Sequence, residues 1–389
     1  MLWTLSSLSR RLRGRLADLE RQGLTRRAPR VTQRDGIRYH LDGRPVVGLC
    51  SNDYLGLADA QLPTASVARS GAAASRLVCG DLPLHRHVEA QLAELVGAEA
   101  AVLFPSGFQL NVGTLPALLG EGDVVHSDRL NHASLVDGMR LSKATRIVLD
   151  HLATPPSPPA PRNGPAHWWV TESIFSMDGD PADLEQLAAY QQKGGLLYVD
   201  EAHAFGLYPG GRGRASTTNL VPDVLVGTLG KAVGCAGAFV AGSSELAQLL
   251  KSTARSFVYS TGMSPLLADR VLRHLQLLRG GEGERRRERL WRAVKTLSTA
   301  LGVPLDSPIL PIVVGDNRRA ISVAETLLER GWHVQPIRPP TVPEGTARLR
   351  VTLSADHDDE LVRHFAADLL QTLELHGVPF QVARVRPAS

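Results

Sequence analysis

The chain is poor in cysteine and in lysine, and both shortages narrow its chemistry. Cys50, Cys79 and Cys235 are its only three cysteines. Odd in number and far apart, they make neither a disulfide framework nor a metal-ligand spacing, so no metal is expected and a reducing cytoplasm is the expected compartment. No apolar stretch approaches the roughly 20 residues that cross a bilayer, so no membrane role is expected. Formal charge is only +4, and its scatter argues against nucleic acid. Arginine-dominated basicity suits small carboxylates or phosphates, which the guanidinium fork grips at two points. Leu5, Leu8, Leu12, Leu16 and Leu19 recur at helical spacing with arginines between them. This predicts an amphipathic helix rather than a signal or transit peptide, because no continuous apolar run is present and the pattern continues through Asp18 and Glu20.

Only five residues are lysines: Lys143, Lys193, Lys231, Lys251 and Lys295. Four lie in polar, turn-like or helical surroundings and read as solvated. Lys231 follows the apolar run Val224-Leu225-Val226, in Thr228-Leu229-Gly230-Lys231, with Ala232 and Gly234 next. An ammonium there makes poor packing but a good nucleophile, since desolvation eases loss of its proton and allows a Schiff base.

At 389 residues, 43% of them hydrophobic, the chain can build one large α/β core and a smaller unit. Short apolar runs alternate with helical patterns between residues 46 and 242. Strands are predicted at Ala101–Phe104, Asp123–His126, Arg146–Leu149, Trp168–Val170, Leu196–Val199, Val224–Val226 and Ala238–Val240. This alternation signals a mostly parallel sheet covered on both faces, with ligands outside the carboxyl ends of its strands. Residues 154–166 read as a proline-rich surface excursion. A long helical stretch from Ser264 leads to a small α+β unit, with strands at Ile309–Val314, His333–Ile337 and Leu349–Thr352 and helices at Ala320–Arg330 and Asp359–Leu375. The expected division is a helix and arm over 1–45, a large domain over 46–270, and a connecting helix with a small domain over 271–389.

Several polar residues stand at predicted strand ends. Asp200 closes one strand, where a buried carboxylate needs a cationic partner such as a protonated pyridine nitrogen. His203 follows it in Asp200-Glu201-Ala202-His203. Ser106-Gly107-Phe108 opens a helix and can present backbone N–H groups to an anion. His132 can stack on a flat heterocycle, and Ser176 can bond a phenolate or shape a turn. Each taken singly has a bland structural explanation. Together they supply an amine, a carboxylate for a ring nitrogen, phenolate donors and an anion cradle, an inventory that matches pyridoxal 5′-phosphate (PLP). Walker A fails because Leu225 stands at its first glycine and Ala232 follows the lysine, and Gly210-Gly211-Arg212-Gly213 does not make a dinucleotide fingerprint.

The chain resembles the α-oxoamine synthases, fold-type-I PLP enzymes of the aspartate aminotransferase superfamily. The likeness runs through Ser51–Leu57, Ser106–Phe108, Asn131–Ser134, Thr171–Asp180, Asp200–His203, Gly227–Lys231, Tyr259–Thr261 and Arg348–Thr352. The resemblance implies a homodimer in which Lys231 holds PLP covalently, Asp200 pairs with its ring nitrogen and His132 stacks on the ring. Ser176 and His203 would approach the phenolic oxygen. Ser106, Gly107, Phe108 and Thr228 would hold the phosphate, with Thr261 from the partner subunit. Arg350 would bind the amino-acid carboxylate with Asn52 and Thr352 nearby, and Arg26 or Arg27 would meet the acyl substrate.

The short chain and the run Thr341–Arg350 point, within the family, to the branch serving biotin synthesis. It condenses L-alanine with pimeloyl-CoA or a pimeloyl-acyl carrier protein. Sister activities that use glycine or a longer acyl thioester, and a non-catalytic paralogue, are the alternatives; the paralogue reading conflicts with the presence of Lys231, Asp200 and His203. The chain departs from the family at Gly71-Ala72-Ala73-Ala74-Ser75-Arg76, where glycines are usual, and at Cys235, which reads as a small buried hydrophobe.

Overall fold

The computed structural model describes residues 7–62, 69–159, 164–218 and 220–382. Leu5 and part of the proline-rich excursion, 160–163, lie outside the described residues. The leucine pattern forms a helix over Ser7–Arg21. Its apolar stripe is not packed away: Leu8 and Leu16 are 61% and 57% exposed.

Three short strands follow, β1 (Val31–Asp35), β2 (Arg38–Leu41) and β3 (Arg44–Gly48). They were not predicted, because polar residues such as Gln33, Arg34 and Arg38 hide a period of two. The central sheet comprises β4 (Ala100–Phe104), β5 (Val124–Asp128), β6 (Thr145–Leu149), β7 (His167–Glu172), β8 (Leu196–Asp200), β9 (Val224–Thr228) and β10 (Ala238–Gly242). Its spatial order is β4-β10-β9-β8-β7-β5-β6. Pairings from β6 across to β9 are parallel, while β10 runs antiparallel to both neighbours.

Alternation along β4 and β10 shows why the sheet is covered on both faces. Ala101, Leu103, Phe239 and Ala241 enter one apolar cluster, and Val102, Phe104, Ala238 and Val240 enter the other. Strands buried on both sides read as continuous apolar runs, which is how the sequence displayed them.

Two helices, Pro265–Arg279 and Gly281–Leu301, lead to a three-stranded antiparallel sheet. It contains β11 (Ile309–Gly315), β13 (Gln335–Ile337) and β14 (Ala347–Thr352). The stretch predicted as one strand over His333–Ile337 is divided. β12 (Trp332–His333) pairs in parallel with β3, whereas β13 pairs with β14. The chain near residue 49 also bridges these units: Leu49 donates its N–H to the His333 carbonyl and accepts from the Thr352 N–H, at 2.9 and 2.7 Å. No helix of the described residues is long and apolar enough to cross a membrane.

Candidate active site

Lys231 lies on a tight turn after β9. Gly234 takes φ +68°, and a Cβ there would meet the Leu57 carbonyl carbon and the Ala58 nitrogen at 2.4 Å. A glycine is therefore required for the turn to seat against residues 57–58 and aim the lysine inward. Lys143, Lys193 and Lys295 are exposed. Lys251 departs from the solvated reading: it is half-buried and ion-paired with Glu89 at 3.3 Å.

Around Lys231 the strand ends bring acidic and basic groups together. In-register pairing of β7 with β8 sets Glu172 beside Asp200. Burial pushes the Lys231 ammonium down to about 8; Asp200 and Glu172 oppose that shift and Arg350 adds to it. Burial raises Glu172 to about 8, with Asp200 pushing the same way. The Glu172 side chain accepts the His132 backbone N–H at 2.6 Å.

Asp200 is buried, yet no basic side chain among the described residues forms an ion pair with it. Its two oxygens accept from Asn111 Nδ2 at 3.0 Å and from the Ala202 N–H at 2.9 Å. Asn111 also donates to Ser134 Oγ at 2.9 Å and accepts the Tyr198 hydroxyl at 2.7 Å. Ser134 in turn contacts His132 Nδ1 at 2.8 Å. Burial lowers both His132 and His203, so both rings are neutral near pH 7. Tyr54 meets His203 Nδ1 at 2.7 Å. Burial keeps this phenol protonated, so it can donate and leave the ring's Nε2–H free to point elsewhere.

Arg350 is a second buried group without its natural counter-ion. Its Nε donates to the Ser176 carbonyl at 2.6 Å, Nη1 to Asn52 Oδ1 at 3.1 Å, and Nη2 to the Tyr54 hydroxyl at 3.5 Å. No carboxylate among the described residues pairs with it. Thr352, two residues along β14, donates its hydroxyl to the Ser51 carbonyl at 2.8 Å and so secures the segment that carries Asn52.

Ser106 caps the helix Gly107–Leu118 by accepting the Gln109 N–H at 3.3 Å. The Gly107 and Phe108 N–H groups have no acceptor among the described residues, which leaves an open anion cradle at a helix start. Thr228 lies beside the Lys231 turn and accepts the Gly230 N–H at 3.3 Å. Thr261 is exposed and bridges to Ser75. The two candidate arginines occupy different places. Arg26 bonds Thr341 at 3.2 Å and lines a cavity of about 910 Å³ that reaches His132 and Ser176, whereas Arg27 faces Asp42 at 3.9 Å. A larger cavity of about 1110 Å³, lined by Trp168, Val224 and Leu225, opens at the opposite, amino ends of the strands.

Asn111, Glu172 and Tyr54 were not assigned roles from sequence. Tyr54 sits inside the Ser51–Leu57 motif, and Asn111 stands one helical turn beyond Gly107, but Glu172 is recognisable only once the β7–β8 register is known.

The chain matches the aminotransferase class I and II family over residues 44–369. It is 43% identical to the 8-amino-7-oxononanoate synthase of Geobacter sulfurreducens over 380 residues, covering 92% of this chain and 97% of that protein. The chain belongs to the 8-amino-7-oxononanoate synthase family. Its fold is also that of the serine palmitoyltransferase from S. paucimobilis, solved with a PLP–myriocin adduct. That likeness has a TM-score of 0.85 and 25% identity, over 96% of this chain and 99% of the other. The 8-amino-7-oxononanoate synthase from Francisella tularensis shares the fold at TM-score 0.68 and 23% identity, over 86% and 99% of the two chains.

Proposed function

We infer that the chain is a PLP-dependent acyltransferase of biotin biosynthesis. It joins L-alanine to a pimeloyl thioester and yields 8-amino-7-oxononanoate, CO2 and free thiol. One observation within this family carries the reading: a lysine amine pulled down to about 8 shares its site with a buried, unpaired arginine. The amine fits covalent capture of an aldehyde, and the guanidinium fits the carboxylate of an amino acid.

The protein groups fit PLP. Asp200, buried without an ion-pairing side chain, suits a protonated pyridine nitrogen; the Gly107 and Phe108 N–H groups with Ser106 and Thr228 suit a phosphate. When bound, PLP supplies an electron sink for charge developing at the amino-acid Cα. His132, its position set by Ser134 and Glu172, would lie against the cofactor ring. Ser176 and the Nε2–H of His203 would hold the phenolic oxygen. Arg350 grips the alanine carboxylate, and Asn52 and Tyr54 hold the guanidinium fork in place. The Lys231 amine takes the proton from Cα and later returns one. The carbon then bonds to the thioester carbonyl, the thiolate departs and takes a proton from solvent, and the former alanine carboxylate leaves as CO2. Arg26 stands at the acyl cavity.

Thr261, exposed in its own chain, fits a phosphate contact across a homodimer. The cytoplasm is the fitting compartment for these substrates.

A panel of L-alanine and glycine against pimeloyl-CoA and longer acyl-CoAs, scored by thiol release, tests this. The reading predicts the highest kcat/KM for alanine with pimeloyl-CoA. Preference for glycine or for a longer chain would transfer the protein to a sister activity.

A further inference from the structure

His151 takes no part in the chemistry above, yet it is buried and ties together two loops that carry the site. Its Nδ1 lies 3.0 Å from both carboxylate oxygens of Asp128, and its Nε2 lies 3.3 Å from Asp180 Oδ2. Asp128 closes β5 and accepts two further backbone N–H groups, from Leu130 and Leu152, each at 2.7 Å. Both its oxygens are therefore acceptors. With a carboxylate before each ring nitrogen, only the doubly protonated imidazolium satisfies all the contacts. Phe175 packs edge-on against the ring, with centroids 4.5 Å apart.

The two aspartates belong to different parts of the site. Asp128 begins the turn that carries His132. Asp180 ends the loop that carries Ser176, and its backbone carbonyl accepts the Phe175 N–H at 3.0 Å. The Ser176 carbonyl is in turn the acceptor for Arg350 Nε. A path of direct contacts thus runs from His151 through Asp180 and the 175–180 turn to the guanidinium that awaits an amino-acid carboxylate.

We propose that His151 is a positioning residue for amino-acid binding, a charged clamp that locks the Ser176 loop, and through it Arg350, against the His132 turn. This rests on the functional reading given above. Burial alone would lower the imidazole, but Asp128 and Asp180 outweigh it and hold the group up to about 9. Beyond Asp180 lies Asp178, already paired with Arg348. Neighbouring Asp150 is committed to Arg129 at the surface.

The test compares wild type with His151→Asn, Asp180→Ala and Asp150→Ala. His151→Asn leaves the buried Asp128 and the half-buried Asp180 without a cation and can fail to fold. Asp180→Ala severs only the link to the Ser176 loop and leaves the His151–Asp128 pair in place. The clamp predicts an alanine KM raised about tenfold or more in Asp180→Ala, since small misplacements of a binding group are costly. The alanine KM rises more than the KM for the acyl thioester, whose cavity borders Ser176 but which does not use the Ser176–Arg350 contact. Asp150→Ala behaves as wild type. A purely structural role would instead lower the active fraction, reducing kcat with both KM values unchanged, and that result overturns the proposal. Nitrogen NMR of the ring in the apo wild-type protein gives an answer independent of turnover. Both His151 nitrogens protonated at pH 7.5 upholds the clamp, and a neutral ring overturns it. A wild-type protein that condenses no amino acid would refute the functional reading alone, because the NMR result stands without it.

Discussion

At the scale of single residues, the site consists of groups placed where their ordinary charge partners are missing. Lys231 is the most consequential of them. Lys231→Ala is expected to lower kcat by roughly a thousandfold or more in steady-state assays, since both covalent capture and the proton acceptor are lost. Because burial brings the amine down to about 8, it is increasingly unprotonated as pH rises through that value. The rate at which the apo protein captures PLP should therefore climb with pH and level off above about 8; stopped-flow absorbance would show it, and a flat profile would contradict the assigned nucleophile. Arg350→Lys keeps the charge but gives up the fork that spans Ser176, Asn52 and Tyr54. The alanine KM should rise about 10–100-fold, as expected for losing a charge-assisted hydrogen bond of roughly 1.5–3 kcal/mol.

The residues legible in the sequence were those whose chemistry clashes with their neighbours. Lys231 follows an apolar run beside glycines, and Asp200 ends a strand of Leu, Tyr and Val. Asn111, Glu172 and Tyr54 escaped because nothing local is unusual about them. Their importance comes from register and approach, as when Glu172 falls beside Asp200 across two strands or Tyr54 reaches a histidine 149 positions away.

At the scale of elements, apolar runs located all seven central strands, since strands covered on both faces cannot hide their composition. The strands β1 to β3 do not stand out because polar residues such as Gln33, Arg34 and Arg38 interrupt their period of two, and β1 is exposed throughout. The boundary near His333 was missed because β12 and β13 are separated by one residue while pairing with different sheets. The departure at Gly71–Ser75 has a concrete cost: Ala73 adopts φ +69°. That region disfavours a residue with a Cβ by about 1–2 kcal/mol, part of which glycine would return in lost chain entropy. Ala73→Gly should thus stabilise the fold by about 1 kcal/mol and raise Tm in a thermal melt without altering KM. An unchanged or lowered Tm would show that the strain is relieved elsewhere.

At the scale of the whole molecule, the proposed phosphate contact from Thr261 requires a second chain. Sedimentation should therefore give a mass of twice the 41.9 kDa chain, and a monomer with full activity would remove Thr261 from the site. The central claim, though, is the reaction. Wild-type protein loaded with PLP should be given L-alanine labelled with ¹³C at its carboxyl carbon, together with pimeloyl-CoA, and the products read by mass spectrometry. The account predicts unlabelled 8-amino-7-oxononanoate, labelled CO2 and free CoA in equal amounts; label retained in the amino ketone, or CoA released without CO2, would contradict it.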